Sequence, residues 1–220
     1  MAKTNDVQDA SRDDLVGDTE ILTEEGNPTA DVSASPEQDH PGDGDPGRRV
    51  VYVYDGQLDL LGNEVKVGDM MPDFSLTAWR DQTTSEIIPE DLLAYGRPIL
   101  ISVCSSVDTP VSNVQSSLLA LRIKQYAGRV LGVLVTSDLP FTQNRFIREH
   151  QCEELIVGSD YLDRNFGYNW GLLIDEAMVL TRAIFVVDSD GTVCHAQVPE
   201  RYTYEIDYDA ALSVLDQLLL

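Results

Sequence analysis

The chain has 220 residues, 43% of them hydrophobic, and a formal net charge of -23. That is enough apolar material for one full core, and the acidic balance excludes nucleic acid and anionic lipid as partners, since phosphate recognition needs a basic face. No run of about eighteen apolar residues is present, so no membrane span is read, and the N-terminus lacks the charged-then-apolar layout of a secretion signal.

Residues 1–48 carry 13 Asp and Glu against Lys3, Arg12 and Arg48. They are poor in aromatics and end in the turn-rich run Pro41-Gly42-Asp43-Gly44-Asp45-Pro46-Gly47. Such a stretch cannot bury enough apolar surface to offset the entropy of ordering. It is expected to be a disordered acidic tail ahead of one domain over residues 49–220, solubilising the chain rather than recruiting a partner.

From Val50 onward apolar patterning begins. Residues 50–54 and 58–60 read as a hairpin around Asp55-Gly56, residues 74–79 as a strand, and residues 89–94 as a short helix opened by Pro89. The apolar run 98–104 reads as a buried strand. A polar loop follows, and then a helix over 110–127, whose Val114, Leu118 and Leu121 recur at helical spacing. Asp108 or Thr109 is placed to cap that helix, and Pro110 suits its first turn. Its free amides and dipole favour negative charge near Thr109 and Ser112, a good place to activate a nucleophile. The residue there is a serine.

Residues 130–136 form a second continuous apolar run, the mark of a strand buried on both faces. Ser137-Asp138-Leu139-Pro140 is expected to cap a helix over 141–150. A short strand at 155–157, a helical piece at 163–168, a hairpin of 181–187 with 193–197, and an amphipathic helix over 208–219 complete the chain. Strands alternating with helices indicate a mixed α/β sheet with helices on both faces. Cys104, Cys152 and Cys194 are odd in number and lack metal-ligand spacing, which suits reduced, buried thiols in the cytoplasm. His40, His150 and His195 are scattered, and no metal site or cofactor is read. Cys194, Trp79 and Trp170 read as packing residues.

Some of these residues form a recognisable set. Ser106-Val107-Asp108-Thr109 precedes the helix at 110. Ser137-Asp138-Leu139-Pro140-Phe141 follows with Gln143, Arg145 and Phe146, then Thr181-Arg182-Ala183, then Ile206-Asp207-Tyr208-Asp209-Ala210-Ala211-Leu212. The first hairpin precedes a stretch carrying Gly68, Pro72 and Phe74. On these residues, over about residues 50–219, the chain resembles the bacterial thiol peroxidases, the atypical two-cysteine branch of the peroxiredoxins. The resemblance implies a thioredoxin-like fold with an N-terminal β-hairpin, a homodimer, and hydroperoxide reduction with thioredoxin as reductant. In that family a peroxidatic cysteine three residues after the threonine attacks the O–O bond as a thiolate, its pKa lowered by the helix start and an arginine. A resolving cysteine on the next helix converts the sulfenic acid to a disulfide, which thioredoxin reduces.

Carried onto this chain, the threonine is Thr109 and the arginine Arg182. The peroxidatic position is Ser112, the resolving position Ile147, and the proline that shields the pocket falls at Ser105. A serine hydroxyl cannot cycle through a sulfenic acid. As a nucleophile it needs an adjacent base, and no histidine is placed to serve, His150 being no more than a residue three positions after Ile147 on the same helix. Three readings follow: a catalytically silent family member acting by binding or regulation; a redox enzyme using Cys104 and Cys152 as a relocated pair; or an anion or small-ligand binder at Thr109, Ser112 and Arg182. Thioredoxin is a partner only under the second. Without a thiolate to serve, Arg182 is expected to pair with Asp108 or another acid.

Overall fold

A computed structural model describes residues 49–53 and 56–220. The expected acidic tail and the turn at Asp55 lie outside the described residues. The elements run β1 (Val50–Val53), β2 (Gly56–Leu61), β3 (Leu76–Arg80), β4 (Thr83–Ile87), α1 (Pro89–Leu93), β5 (Ile99–Cys104), α2 (Pro110–Lys124), β6 (Leu131–Thr136), α3 (Pro140–His150), β7 (Leu155–Ser159), α4 (Asn165–Asn169), β8 (Leu173–Ile174), β9 (Val179–Leu180), β10 (Ala183–Val187), β11 (Val193–Gln197) and α5 (Tyr208–Leu218).

The central sheet has the order β11-β10-β5-β6-β7-β3-β4. β5, β6 and β7 are parallel, with β3 and β10 antiparallel beside them. Every residue of β5, β6 and β10 is buried, which is why these strands are apolar throughout instead of alternating. Alternation decides which face each residue covers. Leu100, Cys104, Leu134 and Ile184 pack with Leu119, Phe146 and Leu215 of α2, α3 and α5. Ile101, Val103, Val133 and Phe185 pack with Leu92, Phe166 and Trp170 on the opposite side. A smaller sheet, β1-β2-β8-β9, carries the N-terminal hairpin. This is the thioredoxin-like α/β architecture that the resemblance implies.

Three features depart from the sequence expectation. β4 was unexpected because Thr83, Thr84, Ser85 and Glu86 have no apolar alternation. The turn into it uses Asp81 and Gln82, both left-handed with φ 49° and 64°, a two-residue hairpin geometry usually announced by glycine. β8 and β9, two residues each, are too short to leave a pattern. The third departure concerns α2, whose Val114, Leu118 and Leu121 are 59%, 51% and 57% exposed. The face turned to the sheet is Ser112, Gln115, Ser116, Leu119, Ala120 and Ile123. Gly132 permits the close approach of α2 to β6, since a Cβ there would lie 2.8 Å from Ile123.

One buried acid ties the loop after β7 to α4. Asp160, 3% exposed, accepts the amides of Phe166 (3.0 Å) and Gly167 (2.8 Å). Burial pushes its carboxyl up to about 6, against the pull of those two amides. The folded chain therefore holds this proton more tightly than the unfolded chain, whose carboxyl titrates near 3.9. The resulting stabilisation is fully present below about pH 4 and is lost as pH rises through about 6. In urea titrations, the stability difference between the unaltered chain and Asp160→Asn should shrink by roughly 2 kcal/mol from pH 4 to pH 7. A difference independent of pH would contradict this.

Candidate functional site

The parallel strands β5 and β6 end side by side, with Cys104 opposite Thr136, and the chain leaves β5 through residues 105–109 into α2. Backbone and side-chain bonds hold this loop. Ser137 donates its amide to the Ser105 carbonyl (3.1 Å). The Asp138 carboxylate accepts the Val107 amide (2.8 Å) and the Thr136 hydroxyl (2.9 Å). Asn113 donates its side-chain amide to the Val107 carbonyl (3.2 Å). Asp138 was read as part of a helix cap; instead α3 starts from Leu139 with no side-chain cap, and Asp138 is the anchor of the loop before α2.

Thr109 is the N-cap residue of α2, and its side chain does not cap the helix. Its hydroxyl donates to the Ser106 carbonyl (3.1 Å). Asp108 is taken by Arg145 at 2.6 Å, an exposed ion pair of small energetic weight. The first-turn amides of Val111 and Ser112 find no acceptor among the described residues, the first backbone bond of the helix being Asn113 to Thr109 (2.9 Å).

Arg182 reaches this helix start from β10. It is 5% exposed. Its Nη1 donates to the carbonyls of Tyr202 (3.1 Å) and Tyr204 (2.9 Å), and its Nη2 points at Ser112 Oγ (3.4 Å). Its Nε is buried with no partner. The ring of Tyr202 lies 5.8 Å from the guanidinium carbon, and the Tyr202 hydroxyl is hydrogen-bonded to Ser105 Oγ. The expected pairing of Arg182 with Asp108 does not occur, because Arg145 holds that carboxylate. No acid pairs with Arg182 among the described residues.

The structure thus brings Ser112 (1% exposed) and Arg182 together, with Thr109 opening the same helix. Cys104, buried at the end of β5, lies close enough to Ser112, Ser116 and Arg182 for each to favour its thiolate. Its thiol is nonetheless pushed up to about 12 by burial and by Asp138, which outweigh Ser112, Arg182 and Ser116. Cys152 is pushed up to about 11, by burial first and then Glu154. Both thiols are free, and strand register speaks against a relocated Cys104–Cys152 pair. Cys152 precedes Leu155, which registers with Gly132 and through it with Leu100, at the start of β5. Cys104 ends that strand, four residues or about 13 Å along the sheet from Leu100, whereas a disulfide needs Cα atoms within about 7 Å.

His150 is not a base for Ser112. It stacks on Phe146 at 4.5 Å, and its ring nitrogens face Ser117 Oγ (3.0 Å) and Asn113 Nδ2 (3.4 Å). Tyr202 and Asp138 complete the site and were not singled out as site residues from sequence. Asp138 lay within the quoted motif, but a carboxylate reaching back across 31 positions to an amide leaves no local pattern. Among the described residues no cluster of three or more His, Cys, Asp or Glu is placed to hold a metal.

Comparison with known proteins agrees with this architecture. Residues 67–196 match the AhpC/TSA family. A thiol peroxidase of Staphylococcus aureus (strain MRSA252) is 33% identical over 158 residues, 72% of this chain and 92% of that protein. One from Streptococcus sanguinis is 32% identical over 160 residues, 72% of this chain and 94% of that protein. The crystal structure of a peroxiredoxin-like protein from Aquifex aeolicus superposes with a TM-score of 0.67 at 27% identity, covering 77% of this chain and 97% of the other. The chain belongs to the AhpC/TSA family and groups there with the thiol peroxidases.

Proposed function

We propose that this chain is a catalytically silent member of the thiol peroxidase family, acting by binding or regulation and not by hydroperoxide reduction. One observation carries the reading: the residue that faces Arg182 at the head of α2 is Ser112, a neutral hydroxyl. In the family, as the resemblance has it, that place belongs to the peroxidatic cysteine, and Ile147 stands at the resolving position. Thr109 and Arg182 keep the pocket's polar frame. Neither remaining candidate thiol compensates, since burial pushes Cys104 and Cys152 up to about 12 and about 11, and only the thiolate is nucleophilic. Thioredoxin is then not a redox partner. The domain is taken to run over residues 49–220 in a cytoplasmic protein; among the described residues no helix is long and apolar enough to cross a membrane.

Mass spectrometry of the full chain after hydroperoxide treatment tests this reading. Cys104 and Cys152 should emerge without added oxygen and without a disulfide between them. A sulfenic acid on Cys104, or a bond joining the two, would sink it.

The binding surface of this reading is a homodimer face. Val111, Val114, Leu118 and Leu121 form an outward stripe on α2, with Leu139 and Phe141 exposed at the start of α3. A second copy covering this stripe is in keeping with the dimers of the family, and burying four such side chains contributes several kcal/mol. Light scattering should give the mass of two chains for the unaltered protein and of one chain for Val114→Asp with Leu118→Asp. An unaltered chain of single mass, or a variant that stays paired, would contradict the assignment.

A further inference from the structure

Arg182 carries a positive charge into a site where it is 5% exposed, and no carboxylate meets it among the described residues. Burying a charge without a counter-charge is costly, and buried charges in folded proteins are normally paired. The guanidinium is also used unevenly. Nη1 is committed to two carbonyls, those of Tyr202 and Tyr204. The other edge, formed by Nε and Nη2, has only the long contact to Ser112 Oγ, and Nε has no partner. That edge presents two parallel N–H donors, the fork that matches a carboxylate. It faces the first turn of a 15-residue helix, where the Val111 and Ser112 amides have no acceptor among the described residues and the dipole favours an anion.

We propose that the Nε–Nη2 edge of Arg182, with the Ser112 hydroxyl and the head of α2, is a seat for a small monocarboxylate. The charge count sets the class. One guanidinium balances one negative charge, so a monoanion neutralises the site while a dianion such as phosphate leaves a surplus. The flat fork selects a planar oxyanion over a spherical one. Tyr202, tied to Ser105, stands beside the same guanidinium, its ring centre 5.8 Å from the guanidinium carbon.

The inference rests on the silent-site reading, because a thiolate at position 112 would itself balance Arg182. The two fail separately. Peroxide turnover by the unaltered chain would end the silent site, whereas a flat carboxylate titration would end the anion seat and leave the turnover result standing.

Thermal unfolding of the full chain is measured in sodium acetate, sodium chloride and sodium phosphate at equal ionic strength. Acetate should raise Tm saturably, by about 5 to 10 °C at a hundredfold excess over its Kd, and the other two salts should not. Ser112→Asp supplies the carboxylate covalently, so its Tm should exceed that of the unaltered chain without acetate and not respond to it. Arg182→Lys keeps the charge and loses the fork, and its response to acetate should vanish. An unaltered chain that ignores acetate, or responds equally to all three salts, overturns the proposal. So does an acetate response that survives in Arg182→Lys or Ser112→Asp.

Discussion

Ser112→Cys combined with Ile147→Cys, in a Cys104→Ser background, is expected to oxidise thioredoxin with hydroperoxide at a rate on the order of 10³ or more above the unaltered chain. Removing a nucleophile alone costs an enzyme on the order of 10⁶ in kcat, so restoring one into an intact frame should recover a measurable part of that. The frame is in place. A thiol at position 112 would lie against Arg182 Nη2, where Ser112 Oγ now sits at 3.4 Å, and at a helix start whose dipole stabilises its thiolate. The loop before it stays anchored through Val107 to Asp138. Cys104 has to be removed because it is buried beside the helix start, where Ser112 acts on its thiol, and a sulfenic acid formed at position 112 would condense with that thiol, releasing water and trapping the site. Ser112→Cys with Cys104→Ser alone should stop after one equivalent of peroxide, with one oxygen atom added to the protein. Absence of any oxygen gain in that variant would show that a thiol at position 112 is not enough to make the pocket react.

Trp170→Ala should lower Tm by about 10 to 15 °C, from a loss of about 3 to 5 kcal/mol. Trp170 is 0% exposed and stands at the centre of an aromatic cluster. It stacks on Phe166 at 4.8 Å, meets Phe185 edge-on at 4.8 Å and lies 6.3 Å from Phe74. Truncation leaves a cavity walled by these rings, and because they belong to α4, β10 and the segment before β3, no single element can move to fill it. Trp170→Phe should lose much less, since its indole nitrogen has no partner to forfeit. Equal losses in both variants would place the cost elsewhere than in the cavity. Trp79, read the same way from sequence, instead packs on exposed Phe141 at 4.9 Å, and its truncation should cost less.

The contrast between the two tryptophans shows where sequence reading works and where it stops. β5 and β6 were legible because strands covered on both faces must be apolar throughout, and the helix start at Pro110 was legible because proline has few other places in a helix. The orientation of α2 was not legible. Its outward Val114, Leu118 and Leu121 are more apolar than the inward Ser112, Gln115 and Ser116, so periodicity pointed the wrong face at the core. The family motif pointed to Thr109, Ser112 and Arg182 but not to what Arg182 touches, because its partners are backbone carbonyls of Tyr202 and Tyr204, and carbonyls carry no residue identity. The same limit hid Asp138, which was recognised as part of a motif and assigned to the wrong helix end.

The silent-site account stands or falls most directly on a coupled assay of the unaltered full chain with hydroperoxide, thioredoxin, thioredoxin reductase and NADPH. The account predicts NADPH oxidation no faster than in the same mixture without the chain. Turnover above that background, abolished by Cys104→Ser, would contradict it and return the chain to peroxide chemistry through a displaced thiol.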